Sequence, residues 1–211
     1  MSDKRRSPSE LTLAVLAGGL SSRMGSAKPS LLIQGKPILA YLREQLQWPG
    51  PTLLVTAAQR KSPPGTDLFD REVVDQLDGQ GPLRGILTAL ENSLGDILVV
   101  TVDMPGVRSS MLRALVASMK DRPELSGLMY RVMRDDMDHV EPFPSIFRRS
   151  AQQIVVQALA ENRRSVRGLL SDSRFATTDA PVEWPTSVWT NLNTPQDFAA
   201  FEKSLNPQDT M

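Results

Sequence analysis

Short apolar runs alternate along this 211-residue chain with longer amphipathic stretches. Four runs are too short for helices and rich in Val, Leu and Ile, which is typical of buried strands: 11–17, 52–56, 72–75 and 96–101. Four stretches have helical spacing and length: 37–46, 83–92, 109–120 and 150–161. Strand followed by helix, repeated, predicts an α/β fold. We expect a Rossmann-like three-layer sandwich with a mostly parallel central sheet and helices on both faces.

The second half of the chain is less regular. Residues 124–131 read as a further strand, whereas 131–144 mix charges and prolines and suggest no clear element. Ser165 is placed as the N-cap of a short helix. Thr194 followed by Pro195 and Asp197 predicts the start of a last helix that runs to about residue 204. We therefore expect one domain over 11–205, with frayed ends at 1–10 and 206–211.

Composition excludes several classes of function. Lys plus Arg and Asp plus Glu both number 24, so no bulk positive field is available to bind a nucleic acid or an anionic membrane. The chain has no cysteine, which excludes disulfides, Cys-ligated metals and thiol nucleophiles. His139 is the single histidine, so a His-rich metal site is excluded and a Ser-His-Asp arrangement is disfavoured.

The sequence also bears on location. No apolar run approaches the 18 or so residues that a membrane span needs. The first ten residues are not followed by the long apolar core and small-residue cleavage site of a secretory signal. We expect a cytoplasmic protein that is a monomer or weak oligomer.

The loop after the first strand is the best candidate for a ligand site. Leu16, Ala17, Gly18 and Gly19 end the strand, and in an α/β sheet this is where ligands bind. Glycines let consecutive N–H groups converge on phosphate oxygens. Arg23 and Lys28 follow and would add cationic charge. The spacing is neither a P-loop nor G-x-G-x-x-G, and an ordinary turn with solvated basic residues is the alternative.

Four ordered motifs resemble a known family. They are Leu16-Ala17-Gly18-Gly19 with Ser22-Arg23-Met24-Gly25 and Lys28, Gly81-Pro82-Leu83-Arg84-Gly85, Val99-Val100-Thr101-Val102-Asp103-Met104-Pro105, and Asn191-Leu192-Asn193-Thr194-Pro195-Gln196-Asp197. Together they closely resemble the molybdenum cofactor guanylyltransferases, nucleotidyltransferases with the nucleotide-diphospho-sugar transferase fold. The chain departs from the family pattern at Ala27, where Asp is usual, and at Arg84, where a small residue is common.

The resemblance implies a reaction. A phosphate of molybdopterin attacks the α-phosphorus of GTP and releases pyrophosphate, a reaction that depends mostly on positioning and charge neutralisation. Mg²⁺ is the implied cofactor, and Asp103 is its expected ligand. Lys28, and with less support Arg23, would neutralise the triphosphate. No nucleic acid or membrane is involved, whereas other molybdenum cofactor biosynthesis proteins are conceivable partners.

The resemblance also distributes the binding roles. Asp75 or Asp78 would accept N–H groups of the guanine base beside Gly81, Pro82 and Leu83; Asp75 is favoured because it directly follows a strand. Leu16, Ala17, Gly18 and Gly19 would contact the base and the α-phosphate. Asn191 and Asn193 would face the acceptor, although an Asx turn explains them equally well. A basic group, Arg163, Arg164 and Arg167, would attract a phosphorylated pterin or simply be solvated.

Three alternatives remain open from the sequence. A cytidylyltransferase, or a transferase acting on a sugar phosphate or lactyl phosphate, would keep Asp103 and Lys28 and change the substrate. A nucleotide-binding module without turnover would be free to lose the metal carboxylate. A dinucleotide-dependent dehydrogenase is disfavoured by the missing glycine fingerprint.

Overall fold

The computed structural model describes residues 11–18, 31–58, 61–77, 80–134 and 136–205. Nine strands and five α-helices lie in these ranges. The strands are β1 Thr12–Leu16, β2 Leu32–Ile33, β3 Lys36–Pro37, β4 Thr52–Ala57, β5 Arg71–Asp75, β6 Ile97–Thr101, β7 Gly127–Arg134, β8 Met137–Phe147 and β9 Phe175–Asp179. The helices are α1 Ile38–Leu46, α2 Pro82–Glu91, α3 Ser109–Lys120, α4 Ala151–Ala160 and α5 Pro195–Leu205. The predicted ends, 1–10 and 206–211, lie outside the described residues.

Seven of these strands form one sheet in the order β5-β4-β1-β6-β8-β7-β9. All neighbouring pairs are parallel except those of β8, which runs antiparallel to both β6 and β7. The prediction of a mostly parallel central sheet in an α/β fold is confirmed. The four strands predicted in the first half are β1, β4, β5 and β6, each within one residue of the expected ends.

Two pairs of helices cover the sheet: α2 packs against α4, and α1 packs against α3. The connection from β1 through α1 leads to β4, whereas the connection from β5 through α2 returns across the sheet to β6. Because parallel crossovers are right-handed, connections that run in opposite directions put their helices on opposite faces. The central strands β1 and β6 are consequently almost fully buried.

The sheet edges differ from the prediction of uniformly buried strands. β5 is only partly buried, because it has a single neighbour and lies at the edge. β9 forms the opposite edge and was not predicted; its sequence, Phe-Ala-Thr-Thr-Asp, has only Phe175 and Ala176 as apolar residues.

The segment 131–144, for which the sequence suggested no element, belongs to a long β7–β8 hairpin. Met129 pairs with Ser145 and the next residue, Tyr130, pairs with Glu141, so three residues of β8 bulge out of the ladder. Two of these three are prolines, which cannot donate a ladder hydrogen bond, and this explains why the pairing breaks there. The pairing of β8 with β6 stops at Ser145.

The predicted cap of the last helix is confirmed. Asp197 Oδ2 accepts the N–H of Thr194 at 2.8 Å, and Thr194 Oγ1 accepts the N–H of Asp197 at 3.2 Å, which is a reciprocal capping arrangement. Ser165 Oγ accepts the N–H of Gly168 at 3.2 Å, at the start of the 3₁₀ turn Arg167–Ser171.

Among the described residues, every helix is too short or too polar to cross a bilayer.

Candidate functional site

A cleft of about 540 Å³ opens at the carboxyl edge of the sheet. The chain leaves β1 toward β4 and leaves β6 toward the other half of the sheet, so a crevice forms between the ends of these two strands. Its walls come from all four sequence motifs and from β8. The residues predicted for the site that line it are Leu16, Ala17, Gly18, Asp75, Gly81, Pro82, Asp103 and Asn191.

The floor of the cleft is the end of β1. Leu16 and Ala17 are buried, and the N–H of Ala17 donates to Val55 of β4. A Cβ placed on Gly18 would lie 3.3 Å from the backbone nitrogen of Ala57, which is a tight approach. Glycine at this position therefore lets the main chain turn away from β1 close to β4. The remaining predicted residues of this loop, Gly19, Arg23 and Lys28, lie outside the described residues.

One end of the cleft is formed by β5 and the start of α2. Asp75 is the last residue of β5, and Oδ1 of its carboxylate accepts two hydrogen bonds, from Arg84 Nε at 3.2 Å and from the N–H of Leu77 at 3.1 Å. Gly81 has a φ of 76°, which favours glycine, and Pro82 occupies the first turn of α2. Asp78, the alternative to Asp75, lies outside the described residues.

Leu83 was predicted to lie beside the base, but it lies in the core. Its side chain is fully buried in the hydrophobic core, so it packs α2 onto the sheet and does not line the cleft. Gly85 takes its place on the wall, where an added Cβ would come within 3.3 Å of the Leu16 side chain. The Gly-Pro-Leu turn thus contributes main chain and Pro82 to the site, while its leucine anchors the helix.

The middle of the cleft is formed by the end of β6. Asp103 follows the strand by two residues, and its carbonyl accepts the N–H of Leu192 at 2.7 Å, which ties the late asparagine motif to this position. Thr101 also lines the cleft; its hydroxyl is buried and has no hydrogen-bond partner among the described residues. The carboxylate and this hydroxyl together offer oxygen atoms to a bound ligand.

The two asparagines predicted to face the acceptor lie in different places. Asn191 lines the cleft close to Asp103, because the next residue, Leu192, donates its N–H to the Asp103 carbonyl. Asn193 is exposed, and its N–H donates to Asp197 Oδ2 at 3.0 Å in the cap of α5. The structure therefore brings Asn191 to the site and assigns Asn193 to the helix start.

The far wall was not predicted from the sequence. Glu141 and the adjoining bulge residues Pro142 and Phe143 of β8 line the cleft. Glu141 is 4% exposed, and its Oε1 lies 2.7 Å from Arg134 Nη2. The local sequence signal for this wall is Glu141 followed by Pro142 and Pro144.

The three arginines that follow α4 also lie in different places. Arg167 lines the cleft and is exposed. Arg163 Nε donates to Glu161 at 2.8 Å, and Arg164 Nε donates to Asn162 at 3.0 Å. Of this basic group, Arg167 is the member that the structure brings to the site.

The oxygen ligands that the cleft offers fit a magnesium ion. Mg²⁺ prefers hard oxygen ligands and needs only one or two protein carboxylates when phosphate oxygens and waters complete its shell. Asp103 supplies a carboxylate, and Thr101 supplies a hydroxyl that has no partner among the described residues, at the end of one strand. Among the described residues no cluster of three or more acidic or histidine side chains is present.

Comparison with known proteins gives a consistent result. A family model described as the MobA-like NTP transferase domain matches residues 13–177. The chain is 30% identical over 190 residues to a probable molybdenum cofactor guanylyltransferase of Pyrococcus furiosus, and the match covers 88% of this chain and 93% of that protein. It is 28% identical over 200 residues to the molybdenum cofactor guanylyltransferase of Vibrio cholerae, covering 92% of each.

A solved structure has the same fold. The crystal structure of molybdopterin-guanine dinucleotide biosynthesis protein A from Archaeoglobus fulgidus superposes with a TM-score of 0.74 at 23% identity, covering 94% of this chain and 100% of that chain.

Proposed function

This chain belongs to the MobA-like NTP transferase family, and on that premise we propose that it transfers the guanylyl group of GTP to molybdopterin. The product is the guanine dinucleotide form of the cofactor, and pyrophosphate is released. The names of the curated relatives from Pyrococcus furiosus and Vibrio cholerae support this reaction.

The observation that carries the proposal is the spacing of two carboxylates in one cleft. Asp75 ends β5 and Asp103 follows β6, and the order β5-β4-β1-β6 separates these strands by three steps of the sheet. At the usual spacing of strands this is about 14 Å. An extended nucleoside triphosphate fits this span, with its base at Asp75, its phosphates at Asp103 and the glycine end of β1 beneath it.

The chemistry needs no acid–base histidine. A phosphate oxygen of molybdopterin forms a bond to the α-phosphorus of GTP, and the bond from that phosphorus to the α,β-bridging oxygen breaks. The leaving pyrophosphate takes the electron pair, and the nucleophile is already an anion. Catalysis therefore consists of alignment and of neutralising negative charge. Mg²⁺ bound at Asp103 would supply part of that neutralisation.

Each remaining residue has a proposed role. The Asp75 carboxylate accepts N–H groups of the guanine edge through Oδ2, because Oδ1 is held by Arg84 and Leu77, and Gly81 and Pro82 lie beside the base. Lys28, with Arg23 and Gly19 in the same loop, is proposed to hold the triphosphate on the strength of the family motif. Asn191 and Arg167 face the acceptor, where a cation and an amide suit a phosphorylated pterin.

The test is pyrophosphate release with Mg²⁺ and molybdopterin, run in parallel with GTP, CTP and ATP. We expect release with GTP at a rate at least tenfold above the other two. Release with CTP would keep the transfer reaction and overturn the assignment of the base. No release with any nucleotide would overturn the proposed function.

A further inference from the structure

Glu141 is a buried carboxylate of the cleft to which the reaction above gives no task. It lies on β8, is 4% exposed, and lines the same cleft as Asp75 and Asp103. Burial of a carboxylate costs free energy unless it is paired and hydrogen-bonded. Arg134 Nη2 at 2.7 Å from Oε1 meets part of that need. A charge kept at the wall of a binding cleft also suggests a ligand with complementary donors.

The order of the strands decides which ligand this is. β8 is the neighbour of β6 on the side away from β1, so Glu141 lies beyond Asp103, opposite the end that holds Asp75. Asp75 and Glu141 belong to strands four steps apart, about 19 Å at the usual spacing. If the base of the nucleotide lies at Asp75 and its phosphates lie at Asp103, the acceptor ring must extend toward β8.

The wall around Glu141 suits a flat ring. Pro142 and Phe143 belong to the bulge in the β7–β8 ladder and line the cleft beside the carboxylate. An apolar surface with one placed polar group is the usual composition of a site for a heteroaromatic ligand. The exposed guanidinium of Arg167 in the same cleft suits a phosphate group on that ligand.

We propose that Glu141 recognises the 2-amino-4-oxo edge of the acceptor's pterin ring, by accepting its ring N–H and one N–H of its 2-amino group. Guanine presents the same edge, so the cleft uses one carboxylate at each end for two chemically similar rings. This inference rests on the proposed function for the choice of a pterin, and it adds the residue and the ring edge that determine acceptor specificity.

The test measures binding without turnover. The probes are 6-hydroxymethylpterin phosphate and the matching lumazine phosphate, which carries a 2-oxo group in place of the 2-amino group, and both are followed by their fluorescence. A site built to accept an N–H rejects the analogue that lacks it. We expect the wild-type protein to bind the pterin at least tenfold more tightly than the lumazine.

Two variants separate recognition from packing. Glu141→Gln keeps the shape and removes the charge, and we expect it to bind the pterin at least tenfold more weakly and to prefer it over the lumazine by no more than about twofold. Arg134→Gln removes the same ion pair but keeps the carboxylate, and we expect it to retain the preference. Thermal unfolding of both variants reports the contribution of the ion pair itself.

Three results would overturn the proposal: equal binding of the two probes by the wild-type protein, an unchanged preference in Glu141→Gln, or loss of the preference in both variants alike. GTP affinity provides the remaining check, since we expect it to stay within about twofold in Glu141→Gln. A fall in GTP affinity that matches the fall for the pterin would contradict an acceptor role. Failure of pyrophosphate release in the wild-type protein would refute the reaction, whereas the probe measurements judge Glu141 separately.

Discussion

Arg84 donates from Nε to Oδ1 of Asp75 at 3.2 Å, and the N–H of Leu77 donates to the same oxygen at 3.1 Å. Both side chains are mostly buried, at 18% exposure for Arg84 and 12% for Asp75. Two donors on one oxygen fix the carboxylate, so within the described residues Oδ2 is the oxygen that remains for a base.

Replacing Arg84 by alanine is expected to weaken GTP binding about tenfold, because one of the two donors that orient Asp75 is lost. A hydrogen bond between charged groups contributes about 1.5–3 kcal/mol, and 1.4 kcal/mol is tenfold in affinity. The measurement is GTP affinity by calorimetry, with kcat at saturating GTP changing less than KM.

Arg71→Ala is the matched control for Arg84. Arg71 lies on the same edge strand, β5, and its guanidinium donates to Asn92 away from the cleft. We expect unchanged GTP affinity in this control. Equal affinity in the wild-type protein and Arg84→Ala would mean that Asp75 needs no support from Arg84.

Asp103→Asn is expected to lower the rate of pyrophosphate release on the order of 100-fold or more, because the site loses the negative charge proposed to hold Mg²⁺. Asp121→Asn, at the exposed end of α3, serves as the control with an unchanged rate. Metal-dependent turnover that survives in Asp103→Asn would show that the metal ligand has been assigned wrongly.

Thr101→Val tests whether the buried hydroxyl of the cleft serves a ligand. The Thr101 hydroxyl has no partner among the described residues, so removing it breaks no hydrogen bond and should not lower the melting temperature. We expect kcat/KM for GTP to fall about threefold to tenfold, in line with the loss of a single hydrogen bond.

The control for Thr101 is Thr88→Val. Its hydroxyl is equally buried and without a partner among the described residues, but it lies in α2 and does not line the cleft. Its kcat/KM should equal that of the wild-type protein. Identical kinetics for both valine variants would exclude a ligand role for the Thr101 hydroxyl.

Tyr130 gives a pH dependence of stability that is separate from the site. Its hydroxyl donates to the carbonyl of Met111 at 2.7 Å, its ring contacts those of Trp184 and Trp189, and burial raises the pKa of its phenol above the ordinary value. The unfolded chain releases this proton near pH 10, while the folded chain keeps it. Stability from this group is therefore full below about pH 10 and is lost as the pH rises further.

Tyr130→Phe should remove that part of the alkaline decline. Urea unfolding at pH 8, 10 and 11 is expected to show a steeper fall in the free energy of unfolding for the wild-type protein than for the variant. At pH 8 the variant should be about 1 kcal/mol less stable, because it loses one hydrogen bond. Parallel pH profiles would contradict a buried, neutral phenol.

The first half of the fold could be predicted because each strand there is a continuous apolar run. In strands buried on both faces, such as β1 and β6, nearly every residue is apolar, and such a run is recognisable in the sequence. The strand predicted at 124–131 overlaps β7, whereas β8 was missed because its outer part is exposed and its ladder with β7 is interrupted by the bulge before Ser145. Pairing between strands leaves no periodic pattern in the local sequence from which it could be predicted.

The residues of the site likewise include some that could be predicted from the sequence and some that could not. Gly18, Asp75 and Asp103 stand at strand ends, so the topology of an α/β sheet brings them together. Leu83 and Asn193 lie beside site residues in sequence, but one is needed for the core and the other for a helix cap. Glu141 lies next to the bulge in the β7–β8 ladder, beyond the last β8 residue that pairs with β6, and this position follows from strand pairing and not from the local sequence.

The central claim is that the acceptor attacks the α-phosphorus of GTP. The most direct measurement follows labelled phosphorus from GTP carrying ³²P at either the α or the γ position, with Mg²⁺ and molybdopterin. We predict that the α label appears in the dinucleotide product and the γ label in pyrophosphate. Release of the γ label as inorganic phosphate, or a product without the α label, would contradict it.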